Sequence, residues 1–262
     1  MKRFILLAIM VLFAVSCGQK ATSKALVLYY SQTGTTKIVA EALQQALGAD
    51  IEEIIVCDPY DPDFNATIAR GQKEMSEGKF PKLEPIAANL KDYDVIFLGY
   101  PVWFGTYANP IETLLQTVDF SGKTVVPFCT FGSGGLDTSS KALAEKLPKA
   151  TVLPGYGVRT ARVDAVPAEI DRFLKEGGFL AGKYEKRAEF PAPHAVSEEE
   201  SAIFDAAVGT YPMIRAKATD VAERAVSGGK EYLFSASDGR GTIKVYVLAE
   251  DGKDPVFTQV LR

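Results

Sequence analysis

The chain has 262 residues, and 47% of them are hydrophobic, so it can bury one large core or two smaller ones. Its 29 Lys and Arg against 33 Asp and Glu leave a formal net charge of −4, which argues against nucleic acid as a partner. Only three cysteines are present, and this number excludes a disulfide framework.

The first 16 residues have the features of a secretory signal. A basic start precedes an apolar stretch, Phe4 to Val15, which is too short to span a bilayer. Residues 14 to 17 resemble the lipobox of bacterial lipoproteins, which implies that Cys17 becomes the lipidated first residue of the mature chain. We therefore expect a lipid-anchored protein of the cell envelope, periplasmic or surface-facing, with residues 17 to 24 as a short tether. A plain secretory signal and a buried N-terminal helix are the alternatives.

The next stretch has the pattern of a strand, a hydroxyl-rich turn and a helix. An apolar run at 25 to 30 predicts the strand, and an amphipathic pattern at 36 to 47 predicts the helix. A helix N-terminus offers unpaired N–H groups and a positive dipole end to a phosphate, and hydroxyls add further donors. A simple cap at Thr33 or Thr35 is the alternative, but four hydroxyls in six residues exceed what one cap uses. The candidate phosphate ligands are Ser31, Gln32, Thr33, Gly34, Thr35 and Thr36.

Apolar runs and helical patterns then alternate as far as residue 182. Strands are predicted at 51 to 56, 94 to 100, 124 to 130 and 151 to 156. Helices are predicted at about 64 to 78, about 108 to 118, 138 to 147 and 167 to 176. This order predicts an α/β domain over residues 25 to 182 with a doubly wound, five-stranded parallel sheet.

Some side chains in this region are expected to be structural. Cys57 and Cys129 lie at or inside predicted strands and are expected to be small core residues, although one disulfide between them stays open. A solvated helix face is expected at Lys73, Glu74, Glu77 and Lys79.

Two further loops are expected at the carboxyl edge of the sheet, where doubly wound sheets bind ligands. The loop after the third strand contains Pro101, Val102, Trp103, Phe104 and Gly105. The loop after the fourth strand contains Thr130, Phe131, Gly132, Ser133 and Gly134. Core packing is the alternative for the two aromatic residues of the first of these loops, but the flanking proline and glycine favour a loop. The three loops together predict a phosphate cradle, an aromatic wall and a glycine-rich floor.

Three motifs in these loops resemble those of flavodoxin-like proteins. They are Tyr-x-Ser-x-Thr-Gly-x-Thr at 29 to 36, Gly-Tyr-Pro-x-Trp-x-Gly-Thr at 99 to 106 and Pro-Phe-x-Thr-x-Gly-Ser-Gly at 127 to 134. The resemblance covers residues 25 to 182 and implies FMN as the cofactor. It implies that the first loop takes the phosphate, that residues 101 to 105 line the isoalloxazine ring, and that residues 130 to 134 close its other side.

The character of the chain changes after a linker, residues 183 to 196. This linker contains the only histidine, His194, which is expected to be exposed, so neither a Ser-His-Asp hydrolase nor a histidine-rich metal site is available. A helix at 197 to 208 and strands at 217 to 226, 230 to 237, 242 to 248 and 256 to 261 predict a small antiparallel α+β domain. This order resembles cystatin-like folds, but Arg224 stands where cystatins have a glutamine, so an accessory or docking domain is favoured over a protease inhibitor.

The function predicted from these features is FMN-dependent electron transfer by an exported, membrane-anchored protein. The flavin carries the chemistry, so no catalytic side chain and no metal are expected. Its partner is expected to be a redox protein or a small acceptor, a quinone or a nicotinamide, and a carrier and a reductase both remain open. The competing interpretation is a surface lipoprotein that acts as a protein-binding module and retains a vestigial flavin site.

Overall fold

The computed structural model describes residues 24–184, 187–209, 211–237, 239 and 241–262. The predicted signal peptide, the lipidation site Cys17 and the tether up to residue 23 lie outside the described residues. Twelve strands and six α-helices are present in the described residues. No helix in the described ranges is both long enough and apolar enough to cross a bilayer.

The first domain contains seven strands and five α-helices. The strands are β1 (Ala25–Tyr29), β2 (Asp50–Glu53), β3 (Val95–Trp103), β4 (Thr106–Tyr107), β5 (Thr124–Phe131), β6 (Thr151–Val152) and β7 (Tyr156–Arg159). The helices are α1 (Thr35–Leu47), α2 (Phe64–Glu77), α3 (Asn109–Thr117), α4 (Leu136–Lys146) and α5 (Val166–Glu176). The sheet order is β2-β1-β3-β5-β6, all parallel, with β7 also pairing with β5 and the antiparallel β4 with β3.

The central strands are covered on both faces, which is why their sequences are almost continuously apolar. Leu26 and Leu28 of β1 pack in one cluster with side chains of α3 and α4, and Val27 of the same strand packs in a second cluster with side chains of α1 and α5. Alternate residues of a strand point to opposite faces, so one strand contributes to both clusters. The predicted doubly wound α/β fold is confirmed.

The fifth strand is interrupted, whereas the sequence predicted one strand at 151 to 156. β6 and β7 both pair with β5 but are separated by three residues that include Pro154 and Gly155. The break lies opposite Pro127, which has no N–H to give to the sheet. A Cβ on Gly155 would lie 2.3 Å from the carbonyl oxygen of Pro127, so glycine is needed for this close approach.

The two cysteines have different environments. Cys129 is fully buried in β5, as predicted, and burial raises the pKa of its thiol. Cys57 is exposed, so the prediction that it is a core residue is wrong. Its neighbour Val56 is buried and pairs with Leu83, and because successive residues of an extended segment point to opposite sides, Cys57 faces water.

The C-terminal domain is an antiparallel sheet with one helix. Its strands are β8 (His194–Ala195), β9 (Lys217–Val226), β10 (Gly229–Ser237), β11 (Thr242–Glu250) and β12 (Val256–Leu261), in the order β12-β11-β10-β9-β8. Helix α6 (Glu198–Val208) begins at Ser197 with a reciprocal capping box to Glu200. Its Phe204 is buried against Phe234 with ring centroids 5.1 Å apart. The predicted helix followed by four strands is therefore confirmed, and the resemblance to cystatins stays a prediction.

The opposite face of this sheet carries a buried ion-pair network. Glu231 is 6% exposed and accepts hydrogen bonds from Arg224 at 2.6 and 2.8 Å and from Arg187 at 3.3 Å. Arg224 also donates to the carbonyl oxygen of Ala188 at 2.8 Å and stacks over the ring of Phe190 at 4.1 Å. The network therefore fastens the linker to the sheet, and Arg224 has a structural role in this domain.

Candidate functional site

The three predicted loops follow β1, β3 and β5, which are neighbours in the parallel sheet. Their carboxyl ends lie at the same edge, so the loops meet there. The hydroxyls of Thr36 and Thr130 are 2.8 Å apart and join the first loop to the third. The hydroxyl of Thr138, at the start of α4, donates to the carbonyl oxygen of Gly105 at 2.6 Å and joins the second loop to the region after the third.

The first loop forms a backbone cradle at the N-terminus of α1. Gly34 is the N-cap residue and has φ 83°, a left-handed conformation that glycine adopts without strain. It has no side chain to cap the N–H groups of Thr35 and Thr36, while the hydroxyl of Ser31 accepts the N–H of Lys37 at 3.2 Å. A Cβ on Gly34 would meet no described atom within 4 Å, so the cradle is open on that side. This arrangement suits an anion.

The second loop is a tight hairpin, and the strand before it extends past residue 100, where the sequence predicted its end. β3 continues to Trp103, which pairs with Thr106 of β4 across a two-residue turn. Both turn residues have positive φ, 51° for Phe104 and 80° for Gly105, as in a type I′ turn. Phe104 is the only non-glycine residue with positive φ among the residues that the structure describes, so backbone strain is located in the loop predicted to face the ring.

Helix α2 supports this hairpin. The ring of Phe104 lies against Gly71, where an added Cβ would be 3.0 Å from the ring, and the Phe104 side chain is still 39% exposed. The Trp103 ring makes T-shaped contacts with the rings of Tyr30 and Tyr60, whose centroids lie 6.0 and 5.0 Å from its own. The second loop therefore has an exposed aromatic tip and a packed aromatic base.

Residues of α2 hold this base, in the region near Tyr60 to Met75 where the family resemblance implied the mouth of the site. Glu74 accepts hydrogen bonds from Tyr60, from Arg70 at 2.8 Å and from Asn109 at 2.8 Å. Arg70 also stacks over the Tyr60 ring at 4.1 Å, and burial together with Glu74 raises the pKa of Tyr60. The Glu74 side chain is only 11% exposed, so its prediction as a solvated residue is wrong, while Lys73, Glu77 and Lys79 are exposed. The Arg70 and Glu74 spacing of four residues was the sequence signal for this pair.

The third loop contacts both the first domain and the C-terminal domain. Phe131 is 4% exposed and its ring lies in the core beside Gly157, whereas Gly132, Ser133 and Gly134 lie nearer the surface. The carbonyl oxygen of Ser133 accepts the N–H of Val260 at 2.7 Å. The loop is thus held from outside by β12, a contact that the sequence did not predict.

The structure thus separates the predicted site residues into two groups. The side chains of Thr36, Thr130 and Phe131 are buried and support the loops from below. The remaining predicted residues are partly or fully exposed around the loops: Ser31, Gln32, Thr33, Gly34, Thr35, Pro101, Val102, Trp103, Phe104, Gly105, Gly132, Ser133 and Gly134. Within the described ranges, no group of three or more His, Cys, Asp or Glu side chains could hold a metal ion.

A doubly wound parallel sheet with an anion cradle after its first strand defines a class of α/β proteins that bind phosphate-bearing ligands at the carboxyl edge. The flavodoxin family model matches residues 24–167, and the chain belongs to this family. The family predicted from the sequence is therefore confirmed, and FMN is the cofactor that this assignment supports.

Individual relatives agree with this assignment. Flavodoxin 1 of Shigella flexneri is 27% identical over 143 residues, which are 53% of this chain and 64% of the relative. Flavodoxin 1 of Salmonella typhimurium is 30% identical over 106 residues, 39% of this chain and 46% of the relative. The chain thus spans about half to under two thirds of the length of these curated relatives. A crystal structure of a Bacteroides eggerthii chain described as a flavoprotein superposes with a TM-score of 0.53 and 33% identity, covering 59% of this chain and 97% of that one.

Proposed function

We propose that this chain is an exported flavodoxin-family protein, anchored to a bacterial membrane through lipidated Cys17, that binds FMN and transfers electrons. The observation that carries the cofactor proposal is the meeting of three loops around one helix N-terminus whose N-cap residue, Gly34, supplies no side-chain cap. FMN, when bound, supplies one- and two-electron redox chemistry, so the protein needs no side chain that acts as acid or base.

The residues at the loops fit FMN. The N–H groups of Thr35 and Thr36 and the hydroxyls of Ser31 and Thr33 would hold the phosphate, because they surround an open cradle whose glycine leaves room for an anion. Trp103, Phe104 and the backbone of the second and third loops would hold the ring, since a flat aromatic ring is recognised by aromatic faces and by backbone donors at its edge. Hydrogen bonds between Thr36 and Thr130 and between Thr138 and Gly105 join the loops, which favours a site that is formed before binding.

The electron partner is proposed by class only. The exposed tip of the second loop, with Phe104 39% exposed, offers an apolar approach to the site for a small acceptor of the quinone or nicotinamide type. A redox protein could use the same tip. Steady-state reduction of a quinone by the FMN-loaded protein, with a reduced nicotinamide as electron donor, would identify a reductase, whereas electron exchange with a redox protein alone would identify a carrier.

The single tryptophan gives a direct test of FMN binding. We expect FMN to quench the fluorescence of Trp103 in a saturable one-to-one titration, because the residue belongs to the loop that would contact the ring. We also expect the flavin absorption bands to remain with the protein through gel filtration.

Trp103→Ala should weaken FMN binding about tenfold, measured by FMN fluorescence, since it removes aromatic contact area. A colourless protein whose tryptophan fluorescence does not change when FMN is added would favour the competing interpretation, a protein-binding module with a vestigial flavin site.

Export and anchoring have a separate test. In a bacterial host with a lipoprotein pathway, we expect the full chain to incorporate labelled palmitate and to partition with membranes, because two or more acyl chains hold a protein firmly at a bilayer. Cys17→Ala should abolish the label and release the protein into the soluble fraction of the envelope. Label incorporation that survives this substitution, or a cytoplasmic location of the full chain, would contradict the proposed anchor.

A further inference from the structure

The C-terminal domain touches the first domain at the third loop. The N–H of Val260 in β12 donates to the carbonyl oxygen of Ser133 at 2.7 Å. A Cβ on Gly134 would lie 2.2 Å from the carbonyl oxygen of Val260, and one on Gly132 would lie 2.9 Å from the hydroxyl of Tyr211. Gly134 therefore allows an approach of the β12 backbone that a residue with a side chain would block, whereas the contact at Gly132 is with the end of a side chain.

Arg159 connects the two domains at this place. Its strand, β7, pairs with the end of β5, and Arg159 is the partner of Phe131 in that register. Its Nε donates to the carbonyl oxygen of Gly132 at 2.9 Å, and its Nη1 donates to the carbonyl oxygen of Phe257 at 2.9 Å. One guanidinium thus bonds to a backbone carbonyl of the third loop and to a backbone carbonyl of β12.

This guanidinium is only partly exposed to solvent. It stacks over the Phe257 ring at 3.4 Å and lies 5.5 Å from the Tyr211 ring centroid. Loss of solvation lowers the pKa of Arg159 to about 10, so it keeps its charge at neutral pH. Hydrogen bonds from a charged donor in such surroundings are stronger than those between neutral groups.

The C-terminal domain is an addition to the flavodoxin domain. The Bacteroides eggerthii chain is matched along 97% of its length by 59% of this chain, so it has no room for a counterpart of the second domain. In this chain the second domain contacts the third loop through β12.

We propose that the C-terminal domain is a structural part of the cofactor site, and that Arg159 is the positioning residue that couples strand β12 to the third loop. This inference rests on the proposed binding of FMN. Arg159 fixes the carbonyl of Gly132, and β12 fixes the carbonyl of Ser133, so the loop is presented to the ring in one conformation. The fixed positive charge beside the loop also favours the extra negative charge that the site gains when its cofactor is reduced.

The test compares Arg159→Ala and Arg159→Lys with the parent protein, and Arg215→Ala serves as a control because Arg215 is an exposed arginine of the C-terminal domain. Without FMN, Arg159→Ala should speed backbone amide hydrogen exchange in residues 131 to 135, while exchange in the central strand β3 stays unchanged. With FMN, it should weaken binding about tenfold, as expected for losing bonds from a charged donor. The midpoint potential should shift to lower values.

The lysine variant separates charge from geometry. Arg159→Lys keeps the positive charge but lacks the forked guanidinium that reaches two carbonyls. Its midpoint potential should therefore be close to that of the parent protein, while amide exchange in the third loop should remain faster than in the parent. If the parent binds FMN and Arg159→Ala leaves exchange, affinity and potential unchanged, the inference is wrong while the proposed function stands. If the parent does not bind FMN, the proposed function fails first, and unchanged loop exchange in the alanine variant would then also refute the coupling of the domains.

Discussion

Thr35→Glu should reduce FMN affinity by about a hundredfold or more. Thr35 is the first residue of α1, and its substitution places a carboxylate at the cradle that would hold the phosphate. Two unit charges about 4 Å apart repel by about 4 kcal/mol at an effective dielectric constant of 20, and each 1.4 kcal/mol is about tenfold in affinity. Solvent and salt screen part of this repulsion. Affinity would be measured by titration of FMN fluorescence at two salt concentrations.

The same substitution should leave the fold intact, because an acidic residue in the first turn of a helix is favourable. Thr35→Gln is the matched control, with the same length and no charge, and should weaken binding much less than Thr35→Glu. The difference between the two variants should shrink at high salt. An equal loss of FMN affinity in both variants would mean that the size of the side chain, and not its charge, weakens binding. An unchanged FMN affinity in Thr35→Glu would mean that the phosphate does not bind at this cradle.

Glu231→Ala should destabilise the C-terminal domain by about 3–5 kcal/mol. Glu231 is 6% exposed and receives hydrogen bonds from two arginines, so its removal leaves their charges in poorly solvated surroundings. It also frees the linker, because Arg224 loses the partner that orients it toward Ala188. The loss would be read from hydrogen exchange in β10, since the single tryptophan lies in the first domain and does not report on this sheet.

An exposed ion pair on the same hairpin provides the control. Glu223 of β9 and Lys230 of β10 are 3.0 Å apart, with side chains 37% and 54% exposed. Glu223→Ala should therefore change the exchange of β10 very little, because water solvates the remaining ammonium group. Similar effects of the two alanine substitutions would show that burial of the Glu231 network does not determine the stability of this sheet.

Local patterns predicted most of the fold. The continuous apolar runs of β3 and β5 and the amphipathic helices between them follow from burial on both faces, so their order could be read directly from the sequence. The interruption between β6 and β7 could not, because it depends on which residue of β5 lies opposite, and that residue is Pro127. The exposure of Cys57 likewise depends on how far β2 extends, which strand propensity does not define.

The candidate site was predictable where it consists of contiguous loops. The hydroxyls before α1 and the aromatic residues after β3 are sequence-local, and the structure brings both to one edge of the sheet. The spacing of Arg70 and Glu74 indicates an ion pair, but the burial of Glu74 depends on Tyr60 and Asn109, which come from other segments of the chain. The contact between Ser133 and Val260 joins residues far apart in the chain, so no local pattern could indicate it.

The docking of β12 on the third loop also has a consequence for solubility. β12 is an edge strand, and the outward N–H of Val260 would otherwise be free to recruit a strand from another molecule. At the opposite edge, β8 is only two residues long and offers little to pair with. The first domain therefore acts as a cover for the longer edge, and a C-terminal fragment cut at the linker would expose a template for intermolecular aggregation that the intact chain conceals.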